Sequence, residues 1–307
     1  MNNSAPRPYI GRFAPSPSGP LHFGSLVAAL GSYLQARSQQ GLWLLRIEDL
    51  DPPREVPGAA DAILHTLDAF GLHWDGPLVY QSQRLGAYQA VLDSWSRLGL
   101  TYHCRCTRKM ISASGGFYNG HCRNLALPDQ EAATRLVMNR PVYHFHDQLQ
   151  GTVRIPRALA EEDFIIRRRD GLYAYNLAVV LDDADAGITE VVRGADLLEP
   201  SGRQISLYQM LKAPVPRWLH LPLASHSGHK LSKQNHAPAL DIQQPGQALW
   251  QALDFLGQQP PADLFGAGSS ELLSWAQLNW RLSLIPKKTN IELRCVGSSH
   301  FQRPALL

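Results

Sequence analysis

The chain opens with an apolar stretch, Tyr9 to Phe13, which predicts a short strand. It then breaks into SPSGP and its neighbours, where Pro15, Pro17, Gly19 and Pro20 write turn chemistry. From Leu26 to Gln39 the positions Leu26, Leu30, Tyr33 and Leu34 share one helical face. LWLLRIEDL, from Leu42 to Leu50, is a continuous apolar run suited to a buried parallel strand, with Glu48 and Asp49 near its carboxyl end. AADAILHTLDAFGL places Ile63, Leu64, Leu67 and Phe70 at helical spacing and closes on Gly71; AYQAVLDSWSRLGL repeats the pattern and closes on Gly99. Strand–helix alternation of this kind predicts an α/β sheet with helices on its faces. Ligands of such sheets sit beyond the carboxyl ends of strands, where Arg12 to Ser16 and Glu48 are predicted.

The pattern changes after residue 101. HCRC, SGG, YNGHC and the polar segments around them predict an insertion over 102–160. DFIIRRRDGLYAYNLAVVLDD and ITEVVRGADLL read as strands returning to the sheet, and SGRQISLYQML as a helix. ALWQALDFLG and SSELLSWAQLNWRL predict helices, and from Lys287 the signal is weak. The expected organisation is therefore a core half over 1–101, the insertion over 102–160, a second core half over 161–240 and a short helical tail over 241–307. No internal repeat is present.

Composition adds bounds rather than answers. A chain of 307 residues with 44% hydrophobic and 18% charged positions is long enough to bury a substantial core. A net charge of +3 permits a nucleic-acid partner without requiring one. The basic run IIRRRDG, Ile165 to Gly171, fits either a solvated strand end or a phosphate contact. MNNSAPRPYI holds no apolar h-region, and no apolar run reaches the roughly eighteen residues of a membrane span. Cys104, Cys106 and Cys122 cluster while Cys295 stands apart, which is a poor disulfide framework and suggests a reducing, cytoplasmic setting. A monomer is the default expectation for a chain of this size.

Three local patterns carry chemistry. The first is the turn that leads through His22 and Gly24 into a helix. A helix start offers free N–H groups and the positive end of a dipole to phosphate. His22 can add a hydrogen bond, and Gly24 lets a ligand approach the backbone. The second is KLSKQ, Lys230 to Gln234, whose two lysines suit a loop that neutralises phosphate charge. The third is Cys104-x-Cys106 with Cys122, three thiolates that need a fourth ligand for tetrahedral zinc; His103, His121 and Tyr118 are nearby.

RFAPSPSGPLHFGS followed by KLSKQ resembles the two signature motifs of the class I aminoacyl-tRNA synthetases, and RFAPSPSG-LH-G with the RIED of Arg46 to Asp49 resembles glutamyl-tRNA synthetase. The likeness covers about residues 9 to 240. Ser25 stands where the family has a second histidine, which weakens or removes one phosphate contact, and Gln234 replaces a final serine. Only about seventy residues follow KLSKQ, where glutamyl-tRNA synthetases carry a large helical anticodon-binding region. RIEDLDPPREVPGAA and KLSKQNHAPAL further resemble the truncated branch of the family, whose members attach glutamate to queuosine in the anticodon of tRNA(Asp).

The resemblance implies a Rossmann-like class I synthetase core with a zinc-containing insertion and a short C-terminal helical tail. It implies L-glutamate, ATP with Mg²⁺ and queuosine-containing tRNA(Asp) as partners. Arg12, Phe13, Ala14, Pro15, Ser16, Glu48, Tyr175 and Arg193 would form the glutamate site. The arginines suit its carboxylates and Glu48 its ammonium, though which arginine meets which carboxylate is open. His22, Gly24, Lys230 and Lys233 would be catalytic, with His22, Gly24 and Lys233 on ATP. Cys104, Cys106, Tyr118 and Cys122 would hold one structural zinc. Two other readings stand beside this one: a minimal synthetase charging a tRNA 3′ end, and a non-catalytic RNA-binding paralogue.

Overall fold

The computed structural model describes residues 8–226, 228–231, 238–295 and 301–302. In chain order its strands and helices begin with β1 (Ile10–Phe13), α1 (Phe23–Ser38), β2 (Leu42–Ile47), α2 (Ala59–Ala69), β3 (Val79–Tyr80) and α3 (Leu85–Arg97). Next come β4 (Thr101–Cys104), α4 (Arg108–Ala113), β5 (Ala133–Leu136), β6 (His144–Asp147), β7 (Gly151–Arg154), α5 (Arg157–Ala160) and β8 (Ile165–Arg167). Then follow α6 (Tyr175–Asp185), β9 (Glu190–Gly194), α7 (Ser201–Leu211), β10 (Arg217–Leu221), β11 (Leu223–His226) and β12 (His229–Lys230). The last are α8 (Pro245–Phe255), α9 (Ser269–Asn279), β13 (Asn290–Glu292), β14 (Arg294–Cys295) and β15 (Phe301–Gln302).

β1, β2 and β3 pair in parallel, with Ile10 opposite Leu42 and Arg46 opposite Val79. A second sheet runs β7-β6-β10-β9, its β6, β10 and β9 parallel and β7 an antiparallel edge. β9 lies beside β1, where the Thr189 N–H donates to the Ile10 carbonyl at 2.9 Å. The two sheets thus continue one layer, and the chain order reverses between β1 and β9. In open α/β sheets that reversal is where a crevice forms at the carboxyl ends. The third sheet, β4-β5-β8, is antiparallel and stands apart from that layer.

α1 is buried on almost every side because the sheet covers one face and the tail helices the other. Gly31 permits the close approach: a Cβ there would lie 2.5 Å from Leu221 Cδ1. Phe23 meets Phe255 of α8 edge-on, and Trp280 Nε1–H donates to Gln35 Oε1 at 2.9 Å. The tail therefore completes the core, each fully buried Leu or Phe contributing roughly 1.5–3 kcal/mol. Residues 290–292, where the sequence signal was weak, form β13 parallel to β11.

One expected strand is a helix. LAVVLDD belongs to α6, since Leu177 and Val180 pack into one cluster while Ala178 and Leu181 pack against Tyr88 in another. Both stripes have helical spacing, and burial of both erases the amphipathic signal. α1 also begins three residues before the predicted Leu26. Among the described residues no helix is long and apolar enough to cross a membrane.

Candidate active site

The carboxyl ends of β1, β2 and β9 bring Arg12, Glu48 and Arg193 close enough to one another, and to Tyr175 at the start of α6, for their charges to interact. Phe13 closes β1 and stacks on Trp43, while Ala14, Pro15 and Ser16 form the following turn. The Pro15 carbonyl accepts the Glu48 N–H at 3.0 Å, tying that turn to the end of β2. A cavity of about 330 Å³ opens there, lined by Ser16, Pro17, Ser18, Glu48, Asp51, Arg54 and Glu55.

The two expected arginines differ in their surroundings. Arg12 is buried and its Nε donates to both oxygens of Asp183 at 3.2 and 3.1 Å, with Nη2 3.1 Å from Oδ2. Arg46 shares that carboxylate, its Nη1 lying 2.6 Å from Oδ1, and its Nη2 donates to Glu48 Oε1 at 3.1 Å. Burial works against the charged Asp183, yet Arg12 and Arg46 hold it below the usual carboxylate range. Burial raises Glu48 above that range, with Arg46 and Arg12 opposing. Arg193 is 6% exposed and has no carboxylate in hydrogen-bond contact among the described residues. Its Nε donates to His220 Nε2 at 3.1 Å; its Nη2 donates to Ser201 Oγ at 2.8 Å and to the Leu197 carbonyl at 3.3 Å. Its Nη1 is buried with no hydrogen-bond partner among the described residues. Burial draws Arg193 below the ordinary guanidinium value, and Arg12 adds to the fall. Tyr175 is 38% exposed, but the protein crowded around it pushes its hydroxyl above the phenol range, with Glu48 adding and Arg193 and Arg12 opposing.

Beyond the turn that follows β1, His22 caps α1. Its Nδ1 accepts the Ser25 N–H at 3.3 Å, and Ser25 Oγ accepts the His22 N–H in return. Ser25, the departure from the family pattern, thus closes a capping box. An accepting Nδ1 puts the proton of a neutral ring on Nε2. Gly24 lies where a Cβ would be 3.1 Å from both His22 Cε1 and the Leu231 carbonyl. The Leu231 N–H donates to the Ala224 carbonyl of β11 at 2.8 Å, and the Leu240 N–H to the Leu21 carbonyl at 2.9 Å, so the start of the lysine segment is held to β11 and the chain beyond it to the first motif. The backbone of Lys230 lies in β12; Lys233 and Gln234 fall outside the described residues.

The cysteines meet as expected. Sγ atoms of Cys104, Cys106 and Cys122 lie within 4.8 Å of one another, and those of Cys106 and Cys122 are 3.5 Å apart. Zn–S bonds of about 2.3 Å in a tetrahedron put sulfurs just under 4 Å apart, so the cluster fits such an ion. The Tyr118 hydroxyl accepts the Cys122 N–H at 2.7 Å, within this cluster, and Arg135 lies 3.7 Å over the Tyr118 ring. In the basic run, Arg168 pairs with Asp51 and Asp170, and Arg169 Nη2 donates to the Arg105 carbonyl. Asp183, Asp182, Arg46, His220 and Asp147 were absent from the predicted site; RIED held Arg46 in plain view, whereas Asp182 and Asp183 lay in a segment read as a strand, Asp147 in the insertion, and His220 in a stretch with no predicted element.

The family model of class I tRNA synthetases (E and Q), catalytic domain, matches residues 10–256. The glutamyl-Q tRNA(Asp) synthetase of Photobacterium profundum is 61% identical over 286 residues, covering 93% of this chain and 92% of that one. That of Vibrio cholerae serotype O1 is 58% identical over 296 residues, covering 96% and 97%. Among solved structures, the glutamate-tRNA synthetase of Elizabethkingia anophelis superposes with a TM-score of 0.75 at 25% identity, covering 92% of this chain and 67% of that one.

Proposed function

The chain belongs to the class I tRNA synthetases for glutamate and glutamine, and from that premise we propose that it activates L-glutamate with ATP and transfers it to queuosine in the anticodon of tRNA(Asp). The observation that carries the glutamate reading is the buried Arg193 Nη1 without an acceptor among the described residues, close enough to Tyr175 and Glu48 for their charges to act on it. An unpaired buried cation is costly unless an anion completes it. Likeness to the glutamyl-Q tRNA(Asp) synthetases supports queuosine as acceptor.

In the first step an α-carboxylate oxygen of glutamate attacks the α-phosphorus of ATP, the bond to the β-phosphate oxygen breaks, and pyrophosphate leaves. Positioning and charge stabilisation carry such a step. Arg193 and Arg12 orient the carboxylates, Glu48 takes the ammonium, Tyr175 and Ser16 add hydrogen bonds, and Phe13, Ala14 and Pro15 form the wall between them. His22 Nε2–H, the start of α1 beside Gly24, and Lys230 and Lys233 face the phosphates, ATP entering as its Mg²⁺ complex. In the second step a hydroxyl of the queuosine cyclopentenediol attacks the activated carbonyl, an ester forms, and AMP leaves. Cys104, Cys106, Tyr118 and Cys122 would hold a zinc ion whose contribution is structural, fixing a subdomain with little core of its own. The active unit is a monomer, with its core split over 1–101 and 161–240, the inserted subdomain over 102–160 and the helical tail over 241–307.

Transfer of labelled glutamate tests the reading, using tRNA(Asp) with queuosine or with guanosine at the modified position. Label on the queuosine sample alone is expected. Equal label on the guanosine sample, or on tRNA(Glu), would overturn it.

A further inference from the structure

Ser201, His220 and Asp147 lie in line behind Arg193, and each is 0% exposed. His220 Nδ1 is 2.7 Å from Asp147 Oδ2, and His220 Nε2 is 3.1 Å from Ser201 Oγ. The order resembles a serine nucleophile with its base, but the chemistry differs. Ser201 donates its proton to the Leu197 carbonyl at 2.9 Å and accepts from Arg193, and complete burial keeps any substrate away. What the line does is fix hydrogen-bond direction. Arg193 Nε can only donate, so His220 Nε2 must present a lone pair. The ring proton then sits on Nδ1, where Asp147 accepts it.

Asp147 is anchored in turn. Its Oδ1 accepts the Leu149 and Gln150 N–H groups at 3.0 and 2.8 Å, and its Oδ2 the His220 N–H at 3.1 Å. Burial disfavours its charge, yet His220 and these amides keep it below the usual carboxylate range. Trp218 lies nearly parallel to the His220 ring, centroids 6.2 Å apart at 11°, and Asp147 at Nδ1 and Arg193 at Nε2 fix the ring's orientation by hydrogen bonds. The charged groups facing the ring are Asp147 from β6, Arg193 from β9 and Asp196 just beyond it. Burial and Arg193 lower the ring's pKa, and Asp147 opposes them, so the ring is neutral near pH 7.

We infer that Ser201, His220 and Asp147 are positioning residues for substrate recognition: they hold the Arg193 guanidinium by neutral acceptors so that its remaining Nη1 stays aimed at a carboxylate of the amino-acid substrate. The inference rests on reading Arg193 as a glutamate partner. Protonation of His220 would replace its lone pair by a second donor and add a like charge beside Arg193. Affinity for glutamate must therefore fall as pH drops through the lowered pKa of this ring.

The test is ATP–pyrophosphate exchange in the presence of queuosine-containing tRNA(Asp), with melting curves for each variant. His220→Leu removes the acceptor and is expected to raise KM for glutamate about tenfold or more, with KM for ATP changed less than about twofold. His220→Gln restores an acceptor without a titrating ring, so it should recover most of that loss and abolish the low-pH rise in KM for glutamate. Ser201→Ala removes a second acceptor with less disturbance and should raise KM for glutamate in the same sense. Unchanged KM for glutamate in His220→Leu or Ser201→Ala overturns the inference, as does an equal rise for ATP. A low-pH limb that persists in His220→Gln overturns the pH dependence. Arg193→Gln separates the premise: if its KM for glutamate is unchanged, the glutamate site itself has been misassigned.

Discussion

Gly24→Ala adds one methyl group at the junction of the two signature motifs. Its Cβ would lie 3.1 Å from the Leu231 carbonyl oxygen, 3.1 Å from His22 Cε1 and 3.2 Å from His22 Nδ1. Ordinary contact begins near 3.4 Å, so the His22 ring and the Leu231 backbone within the lysine segment must each withdraw by a few tenths of an ångström. A misplacement of about 1 Å in a positioning group can cost roughly 100-fold in rate. Two displacements of about a third of that size predict a fall of roughly twentyfold in the rate of glutamate-dependent pyrophosphate exchange. KM for ATP should rise more than KM for glutamate, because neither displaced group belongs to the amino-acid side of the crevice. Stability should move the other way or hold still, since alanine is favoured over glycine within a helix by up to about 1 kcal/mol. A variant that melts like wild type and exchanges pyrophosphate within twofold of it would refute the argument. It would mean that contact between the motifs is incidental to phosphate chemistry.

Asp183→Asn leaves Arg12 and Arg46 buried with one anion fewer, and breaking a buried pair of this kind costs about 3–5 kcal/mol, to be read from denaturant midpoints. The same carboxylate, with Asp147, has a depressed pKa, so the native state binds fewer protons than the unfolded chain. Its contribution is complete above the unfolded value of about 3.9 and is lost as pH falls below it, so midpoints should drop in that window and drop less steeply in the variant. Metal analysis should find one zinc per chain, and Cys106→Ser should lower that content. Chelation should lower the melting temperature and leave pyrophosphate exchange within about threefold of wild type, because the ion is assigned to the subdomain's order. Abolition of exchange would contradict a structural role.

Local signals made much of this readable in sequence. β1, β2, α2, α3, α7, α8 and α9 each carry their own period or a continuous apolar run, and Glu48 follows directly from the length of β2. The cysteine cluster was legible because three of its members lie close along the chain. α6 was not, because burial on two faces left no polar stripe to reveal its period. The partners of the candidate-site residues were hidden for another reason. Arg12 meets Asp183 across 171 positions, and His220 meets Asp147 across 73. No local pattern encodes such a pairing; it exists only once β1 lies beside β9 and β10 beside β6. Ser25 shows a third kind of blindness. As a letter it is a lost histidine, whereas in the fold it closes the cap that sets the orientation of His22.

The contrast between the two site arginines bears on how glutamate could be told from glutamine. Arg12 and Arg46 share Asp183, and Arg46 also meets Glu48 and lies 3.7 Å from Asp182. Their charge is largely compensated before any substrate arrives, so a carboxylate gains little from them beyond hydrogen-bond direction. Arg193 is different, since its hydrogen-bond acceptors are a neutral imidazole, a hydroxyl and a carbonyl, and the face of Trp218 lies 5.0 Å from its carbon. None of these cancels a full charge. A carboxylate at Nη1 would make a charge-assisted bond worth roughly 1.5–3 kcal/mol, about twice what a neutral amide oxygen returns. An amide presented by its NH₂ end would return nothing and leave two donors opposed. Selectivity for an acidic side chain therefore needs a buried cation whose protein partners are neutral, and a neutral His220 is what allows a guanidinium to be held firmly without being neutralised. An aspartate in place of His220 would grip Arg193 harder and cancel the charge that a carboxylate bound at Nη1 would meet.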